Sequence, residues 1–185
     1  MLERLRALPK TTVVLFEDET LLREFPPLRA TWAKRGAQAV VEITGSNARR
    51  TLFGALNPRT GTRLLLKRLR NRAEDFQAFL RHVRSRYRRW DIVMILDKAS
   101  AHTAKATQTL AEELRITFEW LPTACPELNP KELLWRHGKD RISANRVYEN
   151  VDEQADAFID HLLGLSNQQT LQTAGVLSDN FWLST

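Results

Sequence analysis

Three carboxylates in this sequence each end or begin a predicted element of regular structure. Asp18 ends the first predicted strand, Asp97 ends a nearly all-apolar strand, and Glu132 opens a helix. If the two strands are neighbours in one sheet, Asp18 and Asp97 lie side by side and Glu132 is brought over them. Converging like charges raise one another's pKa, so such a cluster needs cations to neutralise it. Oxygen ligands without a thiolate or histidine cluster favour Mg²⁺ or Mn²⁺.

The chemistry that such a site supports is cleavage of a phosphodiester. Two ions held roughly 3.5–4 Å apart can activate a water or hydroxyl group and stabilise the leaving oxygen. Each carboxylate taken alone has an ordinary structural explanation; Glu132, for example, also interacts favourably with the dipole of its helix. The three together, in this order and with a basic region in the same chain, favour the metal site.

The segment before Glu132, "LPTACPELNP", contains three prolines and an Asn-Pro step. Proline restricts the backbone, and Pro130 stands where it presets the first turn of the following helix. We interpret this loop as a rigid support that holds Glu132 in a metal-binding position.

The elements that must position these residues change along the chain from strands to alternating strands and helices. Strands are predicted at 12–17, 52–56, 62–67, 91–97 and 116–121, with a further candidate at 37–44. Helices are predicted at 72–89, 103–114, 130–142 and 151–165, after a short helical lead-in at 1–10. Asn57-Pro58 and Thr60-Gly61 supply turn residues for a hairpin. The order indicates an α/β protein with a mixed sheet and helices on its faces.

Basic residues concentrate in one part of the chain. Between Arg63 and Arg89 there are ten Lys or Arg residues against two acidic ones, so this segment carries +8 while the remainder sums to −2. Such a concentration indicates a polyanionic partner, nucleic acid above all, although a solvated Arg-rich surface gives the same pattern. The candidate phosphate contacts are Arg63, Lys67, Arg68, Arg70, Arg72, Arg81, Arg84 and Arg88.

Composition sets the class of protein. The chain has 185 residues, 43% hydrophobic and 27% charged, and we expect one globular domain over 1–185. It has no apolar run long enough for a membrane span and no signal peptide, which predicts a cytoplasmic location and no membrane partner. Cys125 is the single cysteine, so the chain can form neither an intrachain disulfide nor a thiolate zinc cluster.

Three segments resemble the motifs of a known family. "FEDET", "ILDKASAHTA" and "LPTACPELNPKELLW" are similar, in order and spacing, to the three motifs of DDE transposases of the mariner-like insertion-sequence group, also described as DDE superfamily endonucleases. The third, a proline-bracketed "PELNP-x-E-x-x-W", is the most specific. Thirty-four residues separate Asp97 from Glu132, the spacing typical of this group. The resemblance extends over nearly the whole chain, from Thr11 to Ser166.

This resemblance implies a ribonuclease-H-like α/β fold, with a mixed five-stranded sheet flanked by helices. It also implies cleavage and transfer of DNA strands at the ends of a mobile element, with two Mg²⁺ or Mn²⁺ ions. Matched to the motifs, Asp18 and Asp97 are the catalytic aspartates and Glu132 is the final glutamate. Glu19 is common in the first motif and is expected to support the site without binding an ion, whereas Glu17 is less expected.

Other motif positions have expected roles too. His102 matches a histidine usual in the second motif, where it either touches a phosphate or orients a carboxylate; a hydrogen bond to the backbone is the alternative. Asn129 is expected to shape the turn and Trp135 to anchor the helix in the core. Lys98 departs from the motif, which usually has Asn there. It either pairs with the neighbouring carboxylate and weakens ion binding, or contacts DNA phosphate.

The family normally has an N-terminal helix-turn-helix region, and this sequence starts almost directly at the first catalytic strand. We therefore expect that region to be absent, and a separate chain is a candidate to supply it. Transposases commonly act as dimers, so a homodimer is also expected, with 151–165 as a candidate interface helix. The leading hypothesis is a metal-dependent DNA endonuclease and strand-transferase. The alternatives are a derivative that binds DNA without cutting it, and another ribonuclease-H-like nuclease.

Overall fold

The computed structural model describes residues 2–9, 11–36, 40–41, 46–123 and 125–183. At its centre is a five-stranded sheet in the order β3-β2-β1-β4-β5. β1 pairs in parallel with β4, and β4 in parallel with β5, while β2 is antiparallel to both β1 and β3. The strands are β1 (Thr12–Arg23), β2 (Arg49–Leu56), β3 (Arg63–Arg68), β4 (Asp91–Leu96) and β5 (Ile116–Trp120).

Helices cover both faces of this sheet. They are α1 (Leu2–Arg6), α2 (Ala73–Arg86), α3 (Ser100–Thr103), α4 (Lys105–Glu113), α5 (Lys131–Gly138), α6 (Val151–Gly164) and α7 (Asn167–Thr173). On one face, Phe76 and Phe79 of α2 pack with Phe53 of β2 and with α4. On the other, Trp135 of α5 and Phe158 of α6 pack against the same sheet. β4 is therefore buried from Ile92 to Leu96, as its apolar sequence predicts.

The predicted hairpin is present between β2 and β3. The Asn57 side chain accepts hydrogen bonds from the backbone N–H groups of Arg59 and Thr60, which closes the turn. Gly61 has a φ of +73°, and a Cβ there would lie 2.4 Å from the carbonyl oxygen of Asn167. Both the left-handed backbone and the close approach of α7 require glycine at this position.

The first strand is longer than the sequence predicts. β1 continues to Arg23, so Asp18 lies within the strand and the prediction that Asp18 ends it is wrong. The reason is tertiary: β1 pairs with β4 only as far as Phe16, but its pairing with β2 runs from Phe16 to Arg23. The antiparallel pairing with β2 thus extends the strand through the three acidic residues 17–19.

Several helix predictions also differ in detail. The helix predicted at 103–114 is present as α4, Lys105–Glu113; the short helix α3 before it was not predicted, and the extended backbone of Ala104 (ψ 132°) separates the two. The helix predicted at 130–142 ends at Gly138 and continues as a single π-helical turn, Lys139–Ser143. α7 was not predicted. The candidate strand at 37–44 falls largely outside the described residues, and its described positions, Val40 and Val41, have no regular structure.

Within the described ranges, every helix is too short or too polar to cross a lipid bilayer.

Candidate active site

Asp18, Asp97 and Glu132 line one cavity of about 360 Å³. The sheet explains the first two: Phe16 of β1 and Ile95 of β4 are the last paired residues of two adjacent parallel strands, and Asp18 and Asp97 each follow two residues later. The cavity is also lined by Lys98 and Ala99, which follow Asp97 in the sequence, and by Leu121, Pro122, Thr123, Cys125, Pro126 and Asn129. The convergence expected from the sequence is therefore present, on three different elements.

Asp18 lies in an environment that disfavours its charge. The indole Nε1 of Trp135 donates a hydrogen bond to Asp18 Oδ2 at 3.0 Å. Burial, with the nearby carboxylates of Glu132 and Glu19, raises the pKa of Asp18 to about 7, although Lys131 opposes the shift. A cation bound at this position would offset the same repulsion.

Lys131, the residue before Glu132, is an unpredicted part of the site. It is fully buried, with its Nζ 3.7 Å from the centroid of the Trp135 ring and without a hydrogen bond to any described residue. Gly54, which pairs with Asp18 across the sheet, provides the space: a Cβ there would lie 2.4 Å from Nζ. Burial lowers the pKa of Lys131 to about 7, against the opposing effect of Asp18 and Glu17.

Asp97 is held through one of its two oxygens. Oδ1 accepts a hydrogen bond from the backbone N–H of Ala99 at 2.9 Å and lies 2.9 Å from Nδ1 of His102. These bonds, the one from His102 first, lower the pKa of Asp97 and keep it ionised. Because both contacts use Oδ1, the second oxygen stays available to a ligand.

His102 is buried behind Asp97. It is 1% exposed, and its Nδ1 is also 3.1 Å from the carbonyl oxygen of Asp97. Burial alone would lower the pKa of His102, but Glu17, the hydrogen bond to Asp97, and Glu19 together raise it to about 9. Of the roles expected from the sequence, these contacts fit the orientation of a carboxylate and the bond to the backbone. The burial leaves no surface for a phosphate.

Asn129 connects the proline-rich loop to the first strand. Its Nδ2 donates to the carbonyl oxygen of Glu17 at 2.7 Å, and its Oδ1 accepts from the N–H of Lys131 at 3.1 Å. The loop is fixed from its other side by Trp182, whose indole donates to the carbonyl oxygen of Leu128 at 2.9 Å. Glu132 thus enters the cavity from a segment anchored directly beside Asp18.

The donor set of the cavity suits a hard divalent cation. Its three acidic side chains offer only oxygen ligands, and burial, with the charge of Glu132, raises the pKa of Asp18, so a bound cation would favour its ionised form. Lys98 is exposed at the cavity wall and forms no ion pair within the described residues. Among the described residues, the ion pair between Lys98 and Asp97 that the sequence suggested is therefore not formed.

The predicted phosphate contacts fall into two groups. Four of them bind within the chain: Arg63 donates to backbone carbonyls at the end of α6, and Arg84 to three carbonyls between Tyr87 and Arg115. Lys67 pairs with Asp156 and Asp152, and Arg68 pairs with Asp75. The others, Arg70, Arg72, Arg81, Arg88 and Lys98, have exposed side chains, and of these Arg88 also donates to the carbonyl oxygen of Ser85 at 3.3 Å. A sequence window cannot separate the groups, because partners such as Leu162 lie about a hundred residues away along the chain.

Comparisons with known proteins agree with this geometry. Two curated relatives are the "Insertion element IS630 uncharacterized 39 kDa protein" of Shigella sonnei and the "Uncharacterized protein y4pE/y4sA" of Sinorhizobium fredii. The first is 31% identical over 134 residues, which cover 71% of this chain and 39% of that protein. The second is 34% identical over 108 residues, covering 55% of this chain and 74% of that protein. The chain thus spans less than half of the length of the first relative.

Solved structures of a mariner transposase have the same fold. The Mos1 transposase paired-end complex with left transposon end superposes with a TM-score of 0.72 at 15% identity, covering 97% of this chain and 56% of that one. The catalytic domain of Mos1 gives 0.62 at 14% identity, covering 94% and 80%. The predicted ribonuclease-H-like fold is therefore confirmed. A family model described as DDE superfamily endonuclease matches residues 13–154, which contain all three cavity carboxylates. The chain belongs to the DDE superfamily endonucleases.

Proposed function

We propose that this chain is the catalytic domain of a DNA transposase, which cuts and rejoins phosphodiester bonds at the ends of a mobile element. The observation that carries the proposal is the convergence of Asp18, Asp97 and Glu132, from three separate elements, on one cavity. The solved neighbours include complexes of Mos1 with a transposon end, and paired-end complexes with Mn and with Mg.

Asp18, Asp97 and Glu132 would together hold two Mg²⁺ or Mn²⁺ ions. When bound, such a pair of ions would activate a water or a 3′-hydroxyl group and stabilise the leaving oxygen. The protein supplies geometry: Trp135 fixes Asp18, Ala99 and His102 fix Asp97, and the Asn129 anchor fixes the helix that carries Glu132. Ligands preset in this way need little reorganisation when substrate arrives.

DNA is the proposed substrate and partner. We place the phosphate contacts on the exposed residues Arg70, Arg72, Arg81, Arg88 and Lys98, since the other four basic candidates are less exposed and are held by partners within the chain. Contacts of this kind hold the backbone without reading sequence, and they weaken steeply with salt. A homodimer, and a second chain that supplies the helix-turn-helix, stay predictions from the family resemblance.

The test is a plasmid nicking and strand-transfer assay with Mg²⁺ or Mn²⁺. We expect metal-dependent cutting by the wild type and none by Asp18→Asn, Asp97→Asn or Glu132→Gln, since each loses a ligand charge but keeps its size. Glu112→Gln is the matched control, because it removes one exposed carboxylate on α4. Wild type that binds DNA at low salt yet cuts with neither ion would contradict the proposal.

The non-cutting derivative is retained as a second candidate because of Lys98, which stands at the cavity wall in place of the usual Asn. If wild type is inactive and Lys98→Asn cuts, this lysine is the cause. Activity of the wild type would exclude the derivative.

A further inference from the structure

Behind the cavity, on the opposite face of β1, lies a closed cluster of Glu17, Glu19 and His102. Glu17 and His102 are each 1% exposed. Among the described residues, neither Glu17 oxygen has a hydrogen-bond partner, and Glu19 Oε2 and His102 Nε2 also have none. Burying a carboxyl group without a partner is costly, so the cluster must interact internally or through what it supports.

His102 connects this cluster to the cavity. Its Nδ1 faces two oxygens of Asp97, the carboxylate Oδ1 at 2.9 Å and the backbone carbonyl at 3.1 Å. A carbonyl oxygen can only accept, so Nδ1 carries a ring proton. Nε2 then faces Glu17 Oε2 at 3.5 Å and Glu19 Oε2 at 3.6 Å. One further proton, carried by Nε2 or by the Glu17 carboxyl group, completes a hydrogen bond between the two. The bond requires Nε2 and Oε2 to approach by a few tenths of an ångström.

The ring is also fixed by its other neighbours. Phe76 packs against it with ring centroids 4.3 Å apart. Asn71 donates to Glu19 Oε1 at 2.7 Å, which leaves Oε2 toward the imidazole. Asp97, in contrast, has a side chain that is 64% exposed at the end of its strand. The orientation of an exposed carboxylate therefore depends on a buried ring, and the ring depends on Glu17.

We propose that Glu17 is a positioning residue for the cation site: from the far face of the sheet it holds His102, and His102 holds Asp97 with one oxygen engaged and the other left for a cation. The inference rests on the proposed function, since it takes Asp97 as a cation ligand. Side chains that hydrogen-bond a metal-ligating carboxylate orient it in this way, and the substitution of such outer partners typically costs about 10–100-fold in metal affinity.

The experiment measures Mn²⁺ binding to the full chain by calorimetry and nicking as a function of Mn²⁺ concentration. We expect Glu17→Gln to weaken Mn²⁺ binding by about 10–100-fold, with nicking recovered at saturating Mn²⁺. Glu112→Gln, which removes an exposed carboxylate, should bind Mn²⁺ as the wild type does. The effects of Glu17→Gln and His102→Gln should not add, because both break the same connection to Asp97. If Glu17→Gln does not fold, Glu17→Asp replaces it in the same cycle, because the shorter side chain moves the carboxylate away from His102 Nε2.

Three results would overturn the inference. One is wild-type Mn²⁺ affinity in a folded Glu17→Gln protein, and another is full additivity with His102→Gln. The third is an ion that stays bound in the Asp18→Asn/Glu132→Gln double variant and is lost when Glu17→Gln is added, since the cluster would then bind a metal of its own. Failure of the proposed function looks different: the protein does not cut DNA, while its Mn²⁺ affinity still responds to Glu17→Gln.

Discussion

Adjacent residues of β1 build two different environments on the two faces of one sheet. Asp18 faces α5, where Trp135 and Lys131 pack beside an open cavity. Glu17 and Glu19 face α2 and α3, where Phe76 and His102 close over them. Because side chains alternate along a strand, the three consecutive acidic residues are divided between an open face and a closed face.

This difference separates two tasks. The carboxylates of the open face line a cavity, and burial, with the charges of Glu132 and Glu19, raises the pKa of Asp18. On the closed face, Glu17 and Glu19 lie beside His102, which contacts Asp97, and the charge of Glu19 also raises the pKa of Asp18. Acidic residues that look equivalent in sequence are thus expected to respond differently to substitution.

The largest expected effect is on the closed face. Phe76→Ala should lower the free energy of unfolding by about 3–5 kcal/mol, because a fully buried ring that packs on Phe53, Phe79 and His102 is replaced by a cavity. Urea unfolding followed by circular dichroism measures it. Leu163→Ala, on an exposed part of α6, is the control and should change stability by less than about 0.5 kcal/mol. A loss as small as the control's would contradict the closed packing.

On the open face the expected effect depends on pH. The folded-state pKa of Asp18 is raised to about 7 from an ordinary value of 3.8. A raised pKa stabilises the folded protein below pH 3.8, and this contribution is lost as pH rises to 7. In metal-free buffer, the free energy of unfolding of the wild type, relative to that of Asp18→Asn, should therefore fall between about pH 4 and 7. The fall should be a few kcal/mol at most, since one pKa unit is worth about 1.4 kcal/mol. Unfolding curves at several pH values, with and without Mn²⁺, measure the difference, and Mn²⁺ should reduce the slope. A constant difference would contradict the raised pKa.

A smaller effect tests the space that Lys131 occupies. Gly54→Ala places a Cβ 2.4 Å from Lys131 Nζ and 2.6 Å from the Trp135 ring, so we expect a loss of about 1–3 kcal/mol from overpacking. Gly164→Ala is the control: its Cβ meets no atom within 4 Å, and at the last position of α6 alanine should change stability by less than about 1 kcal/mol. Thermal unfolding of both variants measures the contrast. Equal behaviour of the two would show that Lys131 moves away without cost.

The sequence was sufficient for the features that depend on local pattern. The apolar run of β4, the turn at Asn57 and the helical periodicity of α2 each predict an element that the structure contains. The convergence of the three carboxylates also followed, because neighbouring parallel strands bring their carboxyl ends to one edge of a sheet. The length of β1 was wrong, since it depends on pairing with β2, and the ends of α4 and α5 and the presence of α7 were not predicted either.

Features that depend on distant partners were not predictable. A lysine in the first turn of a helix is normally solvated, and nothing in "NPKE" indicates that Lys131 is buried over Trp135 against Gly54. The sequence of the Arg-rich segment predicts one exposed basic surface, yet Arg63 and Arg84 donate hydrogen bonds to backbone carbonyls of distant segments. Glu17 was the least expected of the three acidic residues, and it is the most buried. In each case burial is decided by residues far along the chain.

The smallest expected effect concerns Lys98, an exposed cation at the rim of the open face. Lys98→Asn should strengthen Mn²⁺ binding by a few-fold, on the order of 0.5 kcal/mol, because it removes a solvent-screened positive charge from beside Asp97. It should also weaken binding of DNA at low salt, since one phosphate contact is lost. Calorimetry with Mn²⁺ and a salt titration of DNA binding measure the two effects. Lys105→Asn on α4, equal in charge but outside the residues that line the cavity, should leave Mn²⁺ affinity unchanged. If both substitutions change the Mn²⁺ affinity equally, the cause is the net charge of the protein, and the position of Lys98 beside the cavity has no effect of its own.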